Sequence, residues 1–356
     1  MNERWINWGK FIAIIAVLVN HTYGILYMDT TICNGSFFSV SLFVLLMGVS
    51  TYWSYDNSKI ELGKKVGKRV LGIVCPYVVS VIAYYAVSER FLDFKSILQY
   101  VFSFNITGPH YYVLQYVQLL IISPVIFLLI KNTGKLKLVY KMLCRVLLGA
   151  GLLVFGALSV NRSNILDVFG GGGKLFGGTY LLLLYLGMLV GSGYNGLNRA
   201  NKIYHIVGLC ISTVCTFVVW RFICINNFAL DSKLPFGYGA NPPGISLMVY
   251  AICWMCFIYF LTKTMELLKN KYINKVLGPG EWLGKHTLYI FLYHRLFLDY
   301  FYRVVNIRIN FWVDCIICFT IMIGGSLLIE IVCRYVWKNW ISAGYLYKGG
   351  KLDNEA

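Results

Sequence analysis

Charged side chains are scarce in this chain of 356 residues, since Asp, Glu, Lys and Arg together make up 13% of it, against about 25% in soluble domains. Hydrophobic residues make up 58%, and the mean hydropathy is +0.65. A water-soluble fold of this length cannot bury so much apolar surface, so the composition excludes a soluble enzyme or binding domain. The chain is predicted to be an integral membrane protein.

Signs of several other classes are also missing. Neither Cys253/Cys256 nor Cys315/Cys318 has a second pair or histidines at zinc-ligand spacing, so no metal site is predicted. The first apolar run has no small-residue cleavage site, which indicates a retained helix and not a signal peptide. Because no repeat or linker divides the sequence, we expect residues 1–356 to form one transmembrane domain with no appended soluble domain.

Apolar runs separated by short polar segments fill the sequence. A membrane-spanning helix needs ~20 predominantly apolar residues, and about ten runs approach this length. The sequence therefore predicts an all-α bundle of about ten transmembrane helices. The predicted spans are residues 10–27, 36–54, 70–88, 110–130, 139–160, 178–193, 203–223, 245–265, 286–303 and 311–333.

The net charge of +17 is distributed unevenly over the predicted loops. Twenty Lys and Arg residues lie at the two ends and in the even-numbered loops, including the run from Lys64 to Arg69. The opposite face has six, which are Arg90, Lys95, Arg162, Lys174, Lys233 and Arg308. The positive-inside rule then places both termini in the cytoplasm, and it explains the excess charge without a nucleic-acid partner.

One histidine lies within the first predicted span. His21 follows Lys10 by eleven residues, which corresponds to ~16 Å along a helix and places the imidazole near the middle of the membrane. Polar groups at this depth are costly, so those that persist are candidates for a functional site. The alternative is that His21 serves only as an interhelical hydrogen-bonding group.

The fourth span also contains a row of polar side chains. Tyr111, Gln115 and Gln118 are spaced at i, i+4 and i+7, so they share one helix face, with Tyr112 beside them. This spacing favours a polar pocket. Glutamine side chains also join helices in lipid, and that alternative remains open.

The ninth span contains the second polar group. Tyr289 and Tyr293 are one turn apart, and His294 and Arg295 lie midway along the run. Asp299 follows Arg295 at i+4 and is placed to neutralise it. These side chains are either part of a site or a self-contained ion pair with neighbouring aromatic residues.

Several short motifs occur in a characteristic order. They are Asn7 to Lys10 followed by His21, the segment 41–48, Lys68-Arg69 ahead of Pro76-Tyr77, His110 to Leu114 with Pro124, Leu184 to Gly187, and Leu283 to Tyr289 with His294. Together they resemble the acyltransferase 3 family of multi-spanning membrane enzymes over nearly the whole chain. The sequence differs at Asn7, where the family pattern has an acidic residue, and at Met47 and Gly72.

The resemblance implies a membrane O-acyltransferase of the polysaccharide O-acetyltransferase type, located in a bacterial plasma membrane. By this resemblance His21 is catalytic, as a general base or as a transient acyl carrier. Acetyl-CoA is the implied donor substrate, held by Lys10, Lys68 and Arg69, and no cofactor is expected to be permanently bound. The implied acceptor is a cell-surface glycan or its lipid-linked precursor. Its predicted pocket comprises Tyr111, Tyr112, Gln115, Gln118, Tyr289, His294 and Arg295.

A transporter or flippase for a glycan or an anionic solute is the competing class. It would use the same polar residues as a pathway through the membrane. Transporters often consist of paired halves with Gly- or Pro-interrupted helices, and no such symmetry is visible in the sequence. The sequence therefore favours the enzyme.

Overall fold

The computed structural model describes residues 3–57, 60–88, 93–161, 175–197, 201–226, 241–268, 271–305 and 310–349. Within these ranges the backbone is helical apart from turns, and extended pairing is limited to one isolated bridge between Tyr23 and Tyr27. The prediction of an all-α protein is confirmed. The α-helices are α1 (Arg4–Thr22), α2 (Thr30–Ser36), α3 (Phe38–Asp56), α4 (Leu62–Ser88), α5 (Phe94–Ser103), α6 (Tyr111–Thr133), α7 (Leu138–Asn161), α8 (Tyr180–Leu197), α9 (Lys202–Asn226), α10 (Ile245–Leu267), α11 (Lys271–Lys285), α12 (Thr287–Tyr300) and α13 (Phe311–Gly349).

A helix occupies each predicted span, and many of them are long and apolar enough to cross a bilayer. Seven helical segments of the described chain meet both requirements. They are Thr30–Asp56, Leu62–Ser88, Gly108–Thr133, Leu138–Ser159, Lys202–Asn226, Ile245–Leu267 and Phe311–Trp337. The apolar part of α8 is shorter, and α12 has 14 residues. The count of ten spans and the cytoplasmic termini therefore remain predictions.

The first helix ends earlier than the span predicted at 10–27. It stops at Thr22, and Gly24 turns the chain back with a φ of 82°, a value that favours glycine. The hydroxyls of Thr22 and Tyr27 donate to the Val19 carbonyl at 2.9 and 2.7 Å, so side chains satisfy a group that the end of the helix leaves open. His21 consequently lies in the last turn of α1 and not midway along a longer span.

The basic run from Lys64 to Arg69 is helical, although the sequence analysis assigned all of it to a loop. Helix α4 begins at Leu62, eight residues before the predicted span, because Lys and Arg are good helix formers. Lys65 donates to the Ser54 carbonyl, and Arg69 donates to Thr51 Oγ1 at 2.8 Å. Two cations of this run therefore bind the end of α3.

Two helices fall between the predicted spans. Helix α5 has ten residues, and the Asp93 side chain caps it by accepting from the Ser96 amide at 3.0 Å. Its exposed apolar residues Phe94, Leu98 and Phe102 follow one face at i, i+4 and i+8. Helix α11 has 15 residues and is described with the site below. Both helices are too short to span a bilayer, so the search for long apolar runs missed them.

The chain divides into two compact units, Met1–Thr287 and Leu288–Ala356, and the prediction of a single domain remains untested. In the first unit, α3 and α8 run parallel and in close contact. A Cβ atom added to Gly187 would overlap the Leu45 carbonyl oxygen, and one added to Gly48 would overlap that of Leu184. Small residues allow such close approach between membrane helices, where dispersion contacts replace the hydrophobic effect.

Helix α6 also runs parallel to α3, and a proline fixes the contact between them. Pro124 has no N–H to donate to the carbonyl of Leu120, four residues earlier. The Ser123 hydroxyl donates to that carbonyl at 2.7 Å, so Tyr55 donates to Ser123 Oγ, also at 2.7 Å. The backbone group freed by the proline is thus satisfied, as lipid surroundings require.

The second unit consists of α12, a π-helical turn at Phe301–Val305, and α13. The ring of Phe297 lies against Gly325 of α13, where a Cβ atom would overlap it. Glu330 is buried, and its Oε1 accepts from Nε of the exposed Arg334 at 2.8 Å. This i, i+4 pair keeps the charge of the buried carboxylate balanced.

Topology is the first testable prediction. The charge bias places the Lys64 end of α4 in the cytoplasm and Asn105, just after α5, on the opposite face. In a cysteine-free background, a membrane-impermeant thiol reagent should label Asn105→Cys in intact cells and label Lys64→Cys only after lysis. Labelling of both positions from the same side would contradict the predicted orientation.

Candidate active site

Helix α1 contains both Lys10 and His21, and its first half packs against α11. A Cβ atom on Gly284 would overlap the Asn7 carbonyl oxygen, and one on Gly280 would contact the Trp8 indole at 2.7 Å. The two glycines are four residues apart, so they form one smooth face of α11. This face lets the two helices approach to backbone contact.

Polar contacts hold α11 in this position. Trp8 donates from its indole N–H to the Leu277 carbonyl at 2.9 Å. Arg4 pairs with Glu281 at 3.2 Å, and Lys285 pairs with the same carboxylate at 3.0 Å. The hydrogen bonds from Lys285 and Arg4 hold the pKa of the Glu281 carboxyl below its usual range. The start of α1 is therefore fixed by a charged contact and by close packing.

A second network fixes the residue before α1. Tyr194 of α8 donates its hydroxyl to Glu3 Oε2 at 2.8 Å, and Lys263 of α10 pairs with the same oxygen at 3.3 Å. Glu266 also pairs with Lys263, at 3.2 Å. Trp5 stacks on the Tyr194 ring with a centroid distance of 6.3 Å. Sequence reasoning missed this network because its members come from three segments that are more than 60 residues apart along the chain.

Two cations of the first unit, Lys10 of α1 and Arg69 of α4, are both partly buried. Arg69 lies close enough to Lys10 for their positive charges to repel each other. Among the described residues, no carboxylate pairs with either of them, and the hydrogen bond of Arg69 goes to the neutral Thr51 hydroxyl. Asn7, which is buried, adds no negative charge to this part of α1. Like charges this close are unfavourable unless an anion joins them, so the arrangement is suited to binding one.

The third predicted donor residue is placed differently. Lys68 is exposed, and it makes no polar contact within the described part of the chain. The structure thus brings Lys10 and Arg69 together but does not add Lys68 to them.

His21 lies between an anchored residue and a folded loop. The Asn20 amide donates to Ser36 Oγ at 3.2 Å, which ties this turn of α1 to α2. After His21, the Gly24 amide donates to the Tyr27 carbonyl at 2.9 Å, and the rings of Tyr23 and Tyr27 contact each other edge to face. His21 is half-buried and Tyr23 is exposed. The imidazole is therefore held in place but still accessible.

The tyrosines of α6 form a cluster with α8. Tyr112 contacts the rings of Tyr116 and Tyr180, with centroid distances of 5.8 and 6.4 Å. Tyr111 precedes Tyr112 at the start of α6. Tyr111, Tyr112, Tyr116 and Tyr180 are called the tyrosine cluster below.

The two predicted glutamines of α6 have different environments. Gln118 Oε1 accepts from the Phe176 amide at 2.6 Å, so this side chain holds the turn that precedes α8. Gln115 is fully buried, and no described residue hydrogen-bonds to either atom of its amide. The i, i+4, i+7 pattern could not distinguish these roles because it does not reveal which partners face each residue.

The predicted site residues of the ninth span, Tyr289, His294 and Arg295, all lie in the second unit. Tyr289 and Tyr293 stack with rings 6.2 Å apart and 10° from parallel, and Arg295 pairs with Asp299 at 3.5 Å, so both expected contacts are present. His294 Nδ1 is 2.7 Å from the Phe291 carbonyl oxygen. Because a carbonyl oxygen only accepts, Nδ1 carries the proton in this arrangement.

The contact between α1 and α11 generates the second prediction. Replacing Gly284 with Ala should destabilise the protein by about 1–3 kcal/mol and reduce its activity, because the new methyl group meets the α1 backbone. Gly278→Ala, in the same helix, is the control: no atom lies within 4 Å of its added Cβ, so the better helix propensity of Ala should leave stability unchanged or raise it. Thermal unfolding in detergent measures both, and equal melting temperatures for the two variants would contradict this packing.

Comparison with known proteins identifies the family of the chain. The family model for the acyltransferase domain of the acyltransferase 3 family matches residues 3–331, which include α1, the cation pair, the tyrosine cluster and all of α12. No curated protein and no solved structure matches the chain. Because the match covers nearly the whole sequence, the chain belongs to the acyltransferase 3 family of membrane acyltransferases.

Proposed function

We propose that the protein transfers an acetyl group from acetyl-CoA to a hydroxyl of a cell-surface polysaccharide or of its lipid-linked precursor. The family gives the acyltransferase activity, and the donor and the acceptor are the proposal. The observation that carries it is that Lys10, on the helix that also presents His21, lies near Arg69 of α4, and that no described carboxylate neutralises either cation.

The cation pair supports a phosphate-bearing donor. Coenzyme A has a pyrophosphate and a 3′-phosphate, and Arg and Lys are the usual partners of such groups. With the basic ends of the helices in the cytoplasm, Lys10 and Arg69 would meet a donor that enters from that side. His21 lies eleven residues further along α1, or ~16 Å, so a thioester at the end of a long arm can reach it.

His21 is suited to be the general base. In the proposed step the acceptor hydroxyl oxygen attacks the thioester carbonyl carbon while the imidazole takes the hydroxyl proton. The C–S bond then breaks, and the protonated imidazole returns the proton to the departing thiolate. The products are an O-acetyl ester and coenzyme A, and general-base catalysis of this kind contributes about 10²–10⁴-fold.

The turn after His21 suits a sugar. Tyr23 presents an exposed ring two residues from His21, and the Tyr27 and Val19 contacts hold that turn in place. A sugar needs an apolar surface for its ring face and polar partners for its hydroxyls, and tyrosine offers both. We place the acceptor on this side of His21, opposite to the cation pair.

Lys10 is the third test. Lys10→Ala should raise the KM for acetyl-CoA about tenfold or more and leave the KM for the acceptor near the wild-type value, because a charged hydrogen bond to phosphate is lost. Lys135→Ala is the control, since it removes an exposed charge from the same predicted face. If the acetyl-CoA dependence of Lys10→Ala and Lys135→Ala were the same, Lys10 would have no part in donor binding.

His21 is the fourth test, and it also separates the enzyme from the transporter. His21→Ala should insert normally and reduce O-acetylation of the surface glycan at least ~10²-fold, while the amount of exported glycan stays the same. His21→Gln should fail as well, because an amide hydrogen-bonds but cannot accept the proton. NMR of the purified polysaccharide measures the acetyl methyl signal. Full acetylation in a well-expressed His21→Ala strain would contradict the catalytic role, and loss of the glycan itself would favour transport.

A further inference from the structure

We infer that the Gln115 amide binds the pantetheine arm of the donor, by pairing with one of the arm's two amide groups. This inference rests on the proposed use of acetyl-CoA and assigns Gln115 to the donor, whereas the sequence pattern grouped it with the acceptor pocket. It starts from an anomaly: a fully buried carboxamide whose two polar atoms have no hydrogen-bond partner among the described residues.

Such a side chain is costly unless something binds it. A buried amide atom without a partner costs about 1–3 kcal/mol, and Gln115 has both a donor and an acceptor in this condition. The contrast with Gln118, whose oxygen accepts from the Phe176 amide one turn further along, shows that the fold can satisfy a glutamine on this helix. Gln115 is therefore better explained by a ligand than by packing.

The alignment of neighbouring helices shows how far along the bundle Gln115 lies, expressed as the residue of α3 beside it. Helix α6 runs parallel to α3 and α8, because the Tyr112 ring contacts that of Tyr180 at the start of α8, and Lys131 pairs with Asp56 at the end of α3. Gly187 lies against Leu45 and Leu184 against Gly48, so Tyr180, and with it Tyr112, is level with about residue 41 of α3. Gln115, three residues further along, is level with about residue 44.

Helix α1 runs antiparallel to α3, so Lys10 and His21 can also be aligned with positions along α3. Gly9 lies against the Leu46 side chain, and Asn20 is hydrogen-bonded to Ser36. Lys10 is therefore about level with residue 45 of α3, and His21 with residue 35. Gln115 lies at the level of Lys10 or slightly beyond it towards His21, and short of His21 itself.

The position of Arg69 agrees with this level. Arg69 donates to Thr51 Oγ1 of α3 at 2.8 Å, so its guanidinium lies on the side of Lys10 that is away from His21. A donor whose phosphates bind the cation pair and whose thioester reaches His21 must run its linking arm through this interval. In coenzyme A that arm contains two secondary amides, each with one N–H and one C=O.

The chemistry of the two partners matches. A primary carboxamide donates through its NH₂ group and accepts through its oxygen, so it can form two hydrogen bonds with one secondary amide. The tyrosine cluster on the same face presents apolar ring surface, which suits the hydrocarbon parts of the arm. A site of this kind discriminates strongly against a ligand that lacks the matching group.

Binding measurements on the purified protein in detergent test the inference. Coenzyme A contains the phosphates and the arm, whereas adenosine 3′,5′-bisphosphate contains phosphates without the arm. Gln115→Leu should weaken coenzyme A binding at least ~10-fold and leave adenosine 3′,5′-bisphosphate binding unchanged. Lys10→Ala should weaken both ligands. If Gln115→Leu bound coenzyme A with wild-type affinity, the inference would be wrong, and a raised KM for the acceptor alone would return Gln115 to the acceptor pocket.

Gln118→Leu is the matched control, with the same substitution one turn away on α6. It removes the acceptor of the Phe176 amide, so it should lower the melting temperature by several degrees and leave coenzyme A affinity unchanged. Gln115→Leu should melt at the wild-type temperature or higher, because it removes a buried polar group that has no protein partner. A lower melting temperature in Gln115→Leu together with unchanged coenzyme A binding would indicate a structural role instead. Failure of the wild type to bind coenzyme A would overturn the proposed donor itself, which is a separate outcome.

Discussion

Backbone contact between helices is the constraint on which the first unit depends. In lipid, apolar side chains gain little by leaving their surroundings, so helices associate through close packing. Glycines permit it at two places, where Gly48 and Gly187 join α3 to α8 and Gly284 joins α11 to Asn7 of α1. Because α1 presents both Lys10 and His21, the position of the candidate site is set by residues that have no functional groups of their own.

The sequence predicted the helical class and the place of each long helix well, because apolar runs reflect the thickness of the bilayer directly. It failed where a helix is amphipathic or charged. Helices α5 and α11 are too short to appear as spans, and α4 extends back through Lys64 to Leu62. The end of α1 depends on hydroxyl groups of Thr22 and Tyr27 that bind the Val19 carbonyl, a tertiary detail that hydropathy does not detect.

The sequence identified individual residues of the candidate site, but it did not show which of them lie together when they are on different helices. The spacing of Lys10 and His21 identified α1, and the contacts expected around Tyr289 and Arg295 are present because they lie within one helix. The approach of Arg69 to Lys10 joins two helices that are far apart in sequence, so spacing could not reveal it. Likewise, the different environments of Gln115 and Gln118 depend on neighbours that a single helix does not contain.

The parallel direction of α3, α6 and α8 has an electrostatic consequence. Their N-termini, at Phe38, Tyr111 and Tyr180, lie towards the end of α1 that contains His21. Each helix dipole contributes about half a positive elementary charge at its N-terminus. The backbone dipoles therefore favour negative charge near the His21 end of α1, and the side chains of Lys10 and Arg69 favour it nearer the start of α1. An oxyanion formed near His21 would be stabilised without an additional charged side chain in the membrane.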